Sequence, residues 1–285
     1  MSSHEEIDTE DNVDIYVIGD LHADWEMTLN LFINLELCDN NKKWIGGNKI
    51  VVQVGDQVDG KGRGGNPDAN GEIEILDFFE NMHEQAKAYG GGVYSILGNH
   101  EFMNVDNNLS YVSEKDKNIR NRKSLFSSGS TIANKWANTR NVIMRINDII
   151  FVHAGLVPEN TNRKNFISLI NDTARKYLRS EKHRSDGDVE KYLFDYETAP
   201  VWNRELGGNV SCSRVSKTLE NIKKNSSKKV NHIIVGHSVQ NTINSVCDNK
   251  VFRVDVGLSK ALGQNTPQVL LIQRKNNKNI FKKIG

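Results

Sequence analysis

The sequence predicts an α/β fold, and three observations carry the prediction. The N-terminal third repeats one unit of apolar strand, polar cluster and amphipathic helix, an order that calls for parallel βαβ connections. Five separate apolar runs each finish in a side chain able to bind a divalent metal. Over 285 positions, 37% hydrophobic and 26% charged residues leave enough apolar material for a sizeable core.

Residues 1–12 are acidic and unpatterned and read as a mobile tail. Asp14–Asp20 is a β-branched run closed by Gly-Asp. Leu29, Leu31, Phe32, Ile33, Leu35 and Leu37 then follow at helical spacing. Lys49–Asp56 is a second strand closed by Gly-Asp, and the Gly-rich stretch from Gly60 to Gly71 reads as a loop. Ile73–Ala88 is an amphipathic helix, and Val93–His100 a third strand with its polar cluster at the C-terminal end. Residues 101–141 are polar, with short helices and no independent core. Val142–Ile146 and Ile149–Val152, separated by Asn147-Asp148, predict a tight hairpin running into His153. Helices are expected over 161–180 and 215–224, with an exposed loop at 181–190. Strands are expected at 230–237, 251–255 and 268–273. This organisation gives one catalytic domain over 13–273, followed by a basic, solvated tail at 274–285.

Composition excludes several function classes. Lys+Arg 37 against Asp+Glu 36 leaves a net charge of +1, so no whole-molecule field attracts nucleic acid or an anionic membrane, and neither is expected as a partner. No apolar run approaches the roughly 18–20 residues of a spanning helix, and the N-terminus lacks a signal-type apolar region. Cys38, Cys212 and Cys247 form no CxxC pair. The odd, sparse set is expected as reduced thiols in a cytoplasmic protein.

The strand ends carry the chemistry: Asp20 with His22, Asp56, Asn99 with His100, His153, and His237. In an open α/β sheet the C-terminal strand ends converge on one edge, where ligands bind. Carboxylate and amide oxygens mixed with imidazole nitrogens suit Mn, Fe or Zn better than Ca, Mg or Cu(I). Each group alone has a structural explanation. Gly-Asp is a common turn, a single strand-end His is usually a satisfied polar residue, and Asn99 after Gly98 suits a left-handed turn. Only the ordered recurrence shifts the balance toward a site. His4, His83, His183 and His232 show no such placement and are read as structural.

Gly19-Asp20-Leu21-His22, Gly55-Asp56-Gln57-Val58-Asp59, Gly98-Asn99-His100-Glu101, His153-Ala154-Gly155 and Gly236-His237 together resemble the ordered motif set of the calcineurin-like metallophosphoesterases. Gly98–Asn104, Leu109–Val112, His153–Pro158, Pro200–Arg204 and Val254–Gly257 are similar to the Shewanella-like branch of the phosphoprotein phosphatases. The resemblance implies a four-layer α/β/β/α sandwich of two mixed sheets and a site for two divalent metal ions, Mn first among them. It implies that Asp20, His22 and Asp56 hold one ion, and that Asp56 bridges to a second held also by Asn99, His153 and His237. A metal-bridging hydroxide would attack phosphorus in line. His100 would be the general acid, Asp59 would orient it, and Arg204 would bind the phosphoryl oxygens.

Two departures matter. Protein phosphatases usually continue GDxxD with Arg-Gly, whereas Gly60-Lys61-Gly62-Arg63 follows here, so either Arg63 or Lys61 reaches in from the loop or the site relies on Arg204 alone. Diesterase branches end in GHxH, whereas Gly236-His237-Ser238-Val239 offers one imidazole, which favours a phosphatase. The expected activity is a phosphomonoesterase acting on phosphoproteins, at Ser/Thr or Tyr. The alternatives are a small-molecule phosphatase or dinucleotide polyphosphate hydrolase with the same metals, and, further off, a non-catalytic binding protein on this fold.

Overall fold

A computed structural model describes residues 5–226, 228–263 and 265–285. Eleven strands form two sheets among the described residues: β1 (Glu6–Ile7), β2 (Asp14–Ile18), β3 (Ile50–Gln53), β4 (Gly92–Ser95), β5 (Ile143–Ile146), β6 (Ile149–Val152), β7 (His232–Val235), β8 (Asn244–Val246), β9 (Val251–Arg253), β10 (Val269–Lys275) and β11 (Lys278–Ile284). One sheet has the order β11-β10-β2-β3-β4 and the other β1-β5-β6-β7-β9-β8. The parallel runs β2-β3-β4 and β6-β7-β9 form the middle of the molecule. Antiparallel β10, β11, β5 and β8 make both sheets mixed.

The strands read as continuous apolar runs because they are covered on both faces. Ile15, Val17, Val52 and Val54 of one sheet share a buried cluster with Met144, Ile146, Phe151 and Ile234 of the other, which forms the layer between sheets. Helices α1 (Trp25–Asn34) and α2 (Glu72–Lys87) cover the outer face of the five-stranded sheet through Phe32, Phe78, Phe79 and Met82. Asp24 starts α1 by accepting the Met27 amide, and Ile75, Phe78, Phe79, Met82 and Ala86 give α2 its buried stripe. Helices Thr131–Thr139, Phe166–Leu178 and Cys212–Asn225 cover the other sheet around Trp136, Ile170 and Ile222. Each fully buried large apolar side chain contributes about 1.5–3 kcal/mol.

Several expectations need correction. The acidic N-terminus is not a tail throughout: Glu6–Ile7 pairs in parallel with β5, and the buried Arg145 guanidinium holds Glu6 and Asp8. Residues 1–4, with His4, lie outside the described residues. The basic C-terminus is likewise a strand, with all seven residues of β11 in register on β10. Lys278, Lys282 and Lys283 are exposed among Ile280, Phe281 and Ile284, as suits an edge strand that must stay soluble. Part of the expected 181–190 loop is helical, with a short α turn at Gly187–Val189 running into a π-helical turn at Glu190–Phe194.

The cysteines also differ from expectation. Cys212 and Cys247, expected as reduced thiols, form a disulfide, and only Cys38 is free and buried among the described residues. Cys212 starts a helix and Cys247 sits in the β8–β9 turn. Folding brings their Cα atoms to 5.2 Å, which their separation of 35 residues hides. No helix is long and apolar enough to cross a membrane. Because the bridge closes a loop of that length, reduction or the C212S/C247S pair should lower unfolding free energy by about 2–4 kcal/mol. Thermal or urea unfolding with and without reductant measures this. An unchanged curve would mean the thiols are not bonded in solution.

Candidate metal centre and active site

The C-terminal ends of β2, β3 and β4 meet those of β6, β7 and β9, so residues far apart in sequence share one rim. Backbone bonds lock the loops together. Leu21 and His22 N–H both donate to Asp56 O, Ala23 N–H donates to Gln57 O, and Gly236 N–H donates to His153 O. His22, Asp56, Asp59 and His237 all have left-handed backbone, at φ +40°, +55°, +71° and +64°. Non-glycine residues seldom adopt it, and its cost is tolerated where the surrounding structure enforces it, as at functional sites.

Asp56 is the centre. Its Oδ2 lies 3.2 Å from His153 Nε2, 3.8 Å from His100 Nε2 and 4.0 Å from His22 Nε2. Its Oδ1 accepts the His100 amide at 3.0 Å. Two groups of ligand atoms meet on this carboxylate, His22–Asp56–His100 and Asp56–His153–His237, with their ligating atoms within 4.8 Å of one another. Asn99 Oδ1 is 2.9 Å from His153 Nε2, so the amide oxygen joins the second group. Asp20 belongs to neither group. Both its oxygens accept the His237 amide, at 3.1 and 3.3 Å, so it reaches the rim beside the two groups. Thus Asp20, His22, Asp56, Asn99, His153 and His237 all come to one place.

Local geometry fits these side chains to hold cations. His153 is fixed by Nδ1 against Val54 O at 2.7 Å, and His22 by Nδ1 near Val58 O at 3.3 Å, so each turns Nε2 toward Asp56. Burial is nearly complete: Asp20 and Asp56 are 1% exposed and His153 0%. Burial pushes Asp20 well above the usual carboxylate range, with Asp255 and Asp56 adding to it. Burial likewise pulls His237 down to about 3, aided by His153. Carboxylate and amide oxygens and ring nitrogens crowded out of water are the donor set of a divalent cation.

A second layer orients the first. Glu101, also buried, accepts from three backbone amides: Gly98 N–H at 2.7 Å, Gln57 N–H at 2.8 Å and Asp56 N–H at 3.0 Å. Its carboxylate therefore binds the loop after β3 to the start of α3 (Asn99–Val105). His100 Nδ1 meets Asp59 Oδ2 at 2.6 Å. Burial disfavours the His100 imidazolium, but Asp56 and Asp59 outweigh it and hold this group above its usual range. Asp59 Oδ1 accepts from Asn104 at 2.8 Å, and Asp59 N–H donates to Glu72 at 2.9 Å. Arg122 ties both supports together, donating to Asn104 Oδ1 and forming an ion pair with Glu72 Oε2, at 2.5 Å each.

The two arginines differ. Arg63 Nη2 lies 3.3 Å from His100 Nε2, and its guanidinium covers the Tyr111 ring at 4.8 Å. Lys61 is exposed, and its backbone N–H donates to Tyr111 O at 2.9 Å. Arg204 is exposed and bonds His237 O at 3.4 Å and Ser238 Oγ at 3.1 Å, on the other side of the rim. Sequence reasoning missed the roles of Glu72, Asn104, Arg122 and Tyr111, whose residue types carry no local signal. It also gave none to Asp255, whose buried Oδ2 is unpartnered and which burial raises to about 6.

A family model for calcineurin-like phosphoesterases matches residues 13–241. The chain belongs to that family. It is a metal-dependent phosphatase of the α/β two-sheet class, in a family that uses a dinuclear divalent metal site. It is 28% identical to Shewanella-like protein phosphatase 2 of Arabidopsis thaliana, over 91% of this chain and 75% of that one. It is also 28% identical to Shewanella-like protein phosphatase 1 of Plasmodium berghei, over 92% and 72%. The fold superposes on the cold-active protein-tyrosine phosphatase of a psychrophilic Shewanella with a TM-score of 0.82 and 22% identity, covering 100% of this chain and 82% of that one.

One glycine exposes how tightly the rim is built. Gly236 passes so close to Asp20 that an added β-carbon would collide with Oδ1 and with Val54. Gly236→Ala should therefore displace Asp20 and weaken metal binding by about 10–100-fold while the fold persists. Metal content after dialysis, beside circular dichroism, tests this; wild-type metal retention would contradict it.

Proposed function

We propose that this phosphatase is a phosphomonoesterase acting on phosphoproteins, with Asp20, His22, Asp56, Asn99, His153 and His237 holding two divalent ions, Mn in vitro. The observation that carries the reading is the His100–Asp59 pair. A buried imidazole has one nitrogen bonded to a carboxylate and the other facing Asp56 and Arg63. That is the arrangement of an acid held protonated for a leaving oxygen. When bound, the ions supply charge neutralisation and lower the pKa of a coordinated water.

The residues' roles follow from their positions. His100 Nε2 delivers its proton to the ester oxygen as that oxygen's bond to phosphorus breaks and a water oxygen bonds phosphorus in its place, so ester and water become alcohol and inorganic phosphate. Asp59 keeps the Nδ1 proton in place and favours the charged ring. Arg63 and Arg204 stand on opposite sides of the rim, where each can donate to phosphoryl oxygens. His100 also lies within the reach of a ligand group with His22 and Asp56, but its Nδ1–Asp59 bond and its Arg63 neighbour favour the acid role. A protein substrate is supported by the open aromatic surroundings, Tyr111 beside His100 and Tyr196 against Trp202 at 4.6 Å. The names of the relatives point the same way.

His100→Asn should leave metal content unchanged and lower kcat by about 10²–10⁴-fold. Single-turnover rates and metal analysis separate the two effects, and full activity would remove His100 from the chemistry. Chelation should abolish turnover and Mn restore it, with phospho-Ser, phospho-Thr or phospho-Tyr peptides preferred to a dinucleotide polyphosphate or a phosphodiester. Faster turnover of the dinucleotide would overturn the protein-substrate reading.

A further inference from the structure

A second concavity lies beyond Glu101, sharing no residue with the metal rim. It is a cleft of about 330 Å³ between α2, edge strand β4 and the end of helix Thr131–Thr139. Phe79, Val93, Tyr94 and Met144 give it an apolar floor, and Arg140 lines it. Arg140 is 4% exposed, and its Nη1 has no hydrogen-bond partner. A buried guanidinium N–H without an acceptor costs about 1–3 kcal/mol. Glu101 turns its oxygens to three backbone amides and makes no hydrogen bond to that atom. The remaining charges at the mouth are paired. Lys135 bonds Glu80 and lies 3.7 Å from Asp77, and Glu84 faces Lys87 at 3.5 Å. Burial pulls Arg140 down only to about 10, so it stays charged at neutral pH.

We propose that this cleft is a second binding site, for a small organic anion whose carboxylate meets Arg140 and whose aromatic or branched body lies on Phe79, Val93, Tyr94 and Met144. Its size falls at the small end of ligand pockets, roughly 300–1,000 Å³. An apolar floor lined by one guanidinium, which lies over Trp136 at 5.4 Å and keeps one N–H without an acceptor, is the combination that fixes such a ligand's orientation. A peptide strand is a poorer occupant, because the Val93 amide on the outer edge of β4 already donates to His83 Nδ1 at 3.2 Å. The assignment is independent of the phosphatase substrate.

The probe is 3-phenylpropionate against its neutral amide, titrated into the full chain by calorimetry and followed by the Met144 methyl resonance. The acid should bind one to one, at least tenfold tighter than the amide, shift Met144, and persist in saturating inorganic phosphate. Arg140→Met should weaken the acid at least tenfold. Should that variant fail to fold, Thr139→Trp, an exposed position at the mouth, should block the probe in a folded protein. Equal binding of acid and amide, displacement by phosphate, an unmoved Met144 methyl, or no binding at all would each overturn the proposal.

Discussion

The structure depends on a concentration of negative charge where water cannot reach it. Asp20, Asp56, Asp59, Glu72, Glu101 and Asp255 are each at most 1% exposed and all lie at or directly behind one rim. An ionised carboxylate moved out of water loses several kcal/mol of solvation, which returns only through close counter-charges and hydrogen bonds. The protein supplies those for the carboxylates behind the rim. Glu101 has three amides, Glu72 has Arg122, and Asp59 has His100 and Asn104. For Asp20 and Asp56 the protein offers mainly imidazoles, whose ring nitrogens are also ligands. The division is chemically coherent: protein cations and amide donors satisfy the supports, and metal cations suit the carboxylates left at the rim.

The same division explains why strained backbone is concentrated here. Left-handed residues at His22, Asp56, Asp59 and His237 turn side chains toward the rim immediately after each strand ends. The strands themselves are short, only four residues in β3, β6 and β7, so little regular structure is available to hold these turns. Hydrogen bonds between loops of different strands provide the rigidity instead. Glu101 is the most economical example, since one side chain fixes the backbone of Asp56, Gln57 and Gly98 together. Gly98 can approach Asp56 this closely only because it has no β-carbon.

Much of this was legible in the amino-acid order, for a definite reason. A buried parallel strand must be continuously apolar, so the polar residue that ends it stands out, and the metal-ligand candidates at β2, β3, β6 and β7 could be read one after another. The supports were not legible. Glu72, Asn104 and Arg122 sit in ordinary helical contexts, and only tertiary folding brings them to Asp59. The outer strands failed differently. β1 is two residues long and depends on Arg145, while β11 hides its alternation among lysines that an exposed edge requires. The disulfide was lost because an odd cysteine count carries no pairing information. Arg63 was ambiguous for a related reason: a glycine-rich loop leaves side-chain direction to contacts such as the Tyr111 ring and the Ala261 carbonyl.

Glu101 also joins two parts of the molecule that sequence distance separates. On one side its oxygens hold the backbone of the turn that presents Asp56. On the other, Arg140 contributes favourable potential to its charge without a hydrogen bond, and so opposes the rise that burial causes. Gln57 makes a parallel link, its side chain donating to Ser95 Oγ in the wall of the distal cleft at 2.9 Å. Glu101 and Gln57 thus stand between the turn that presents Asp56 and the wall of the cleft, one bonding three backbone amides and the other Ser95.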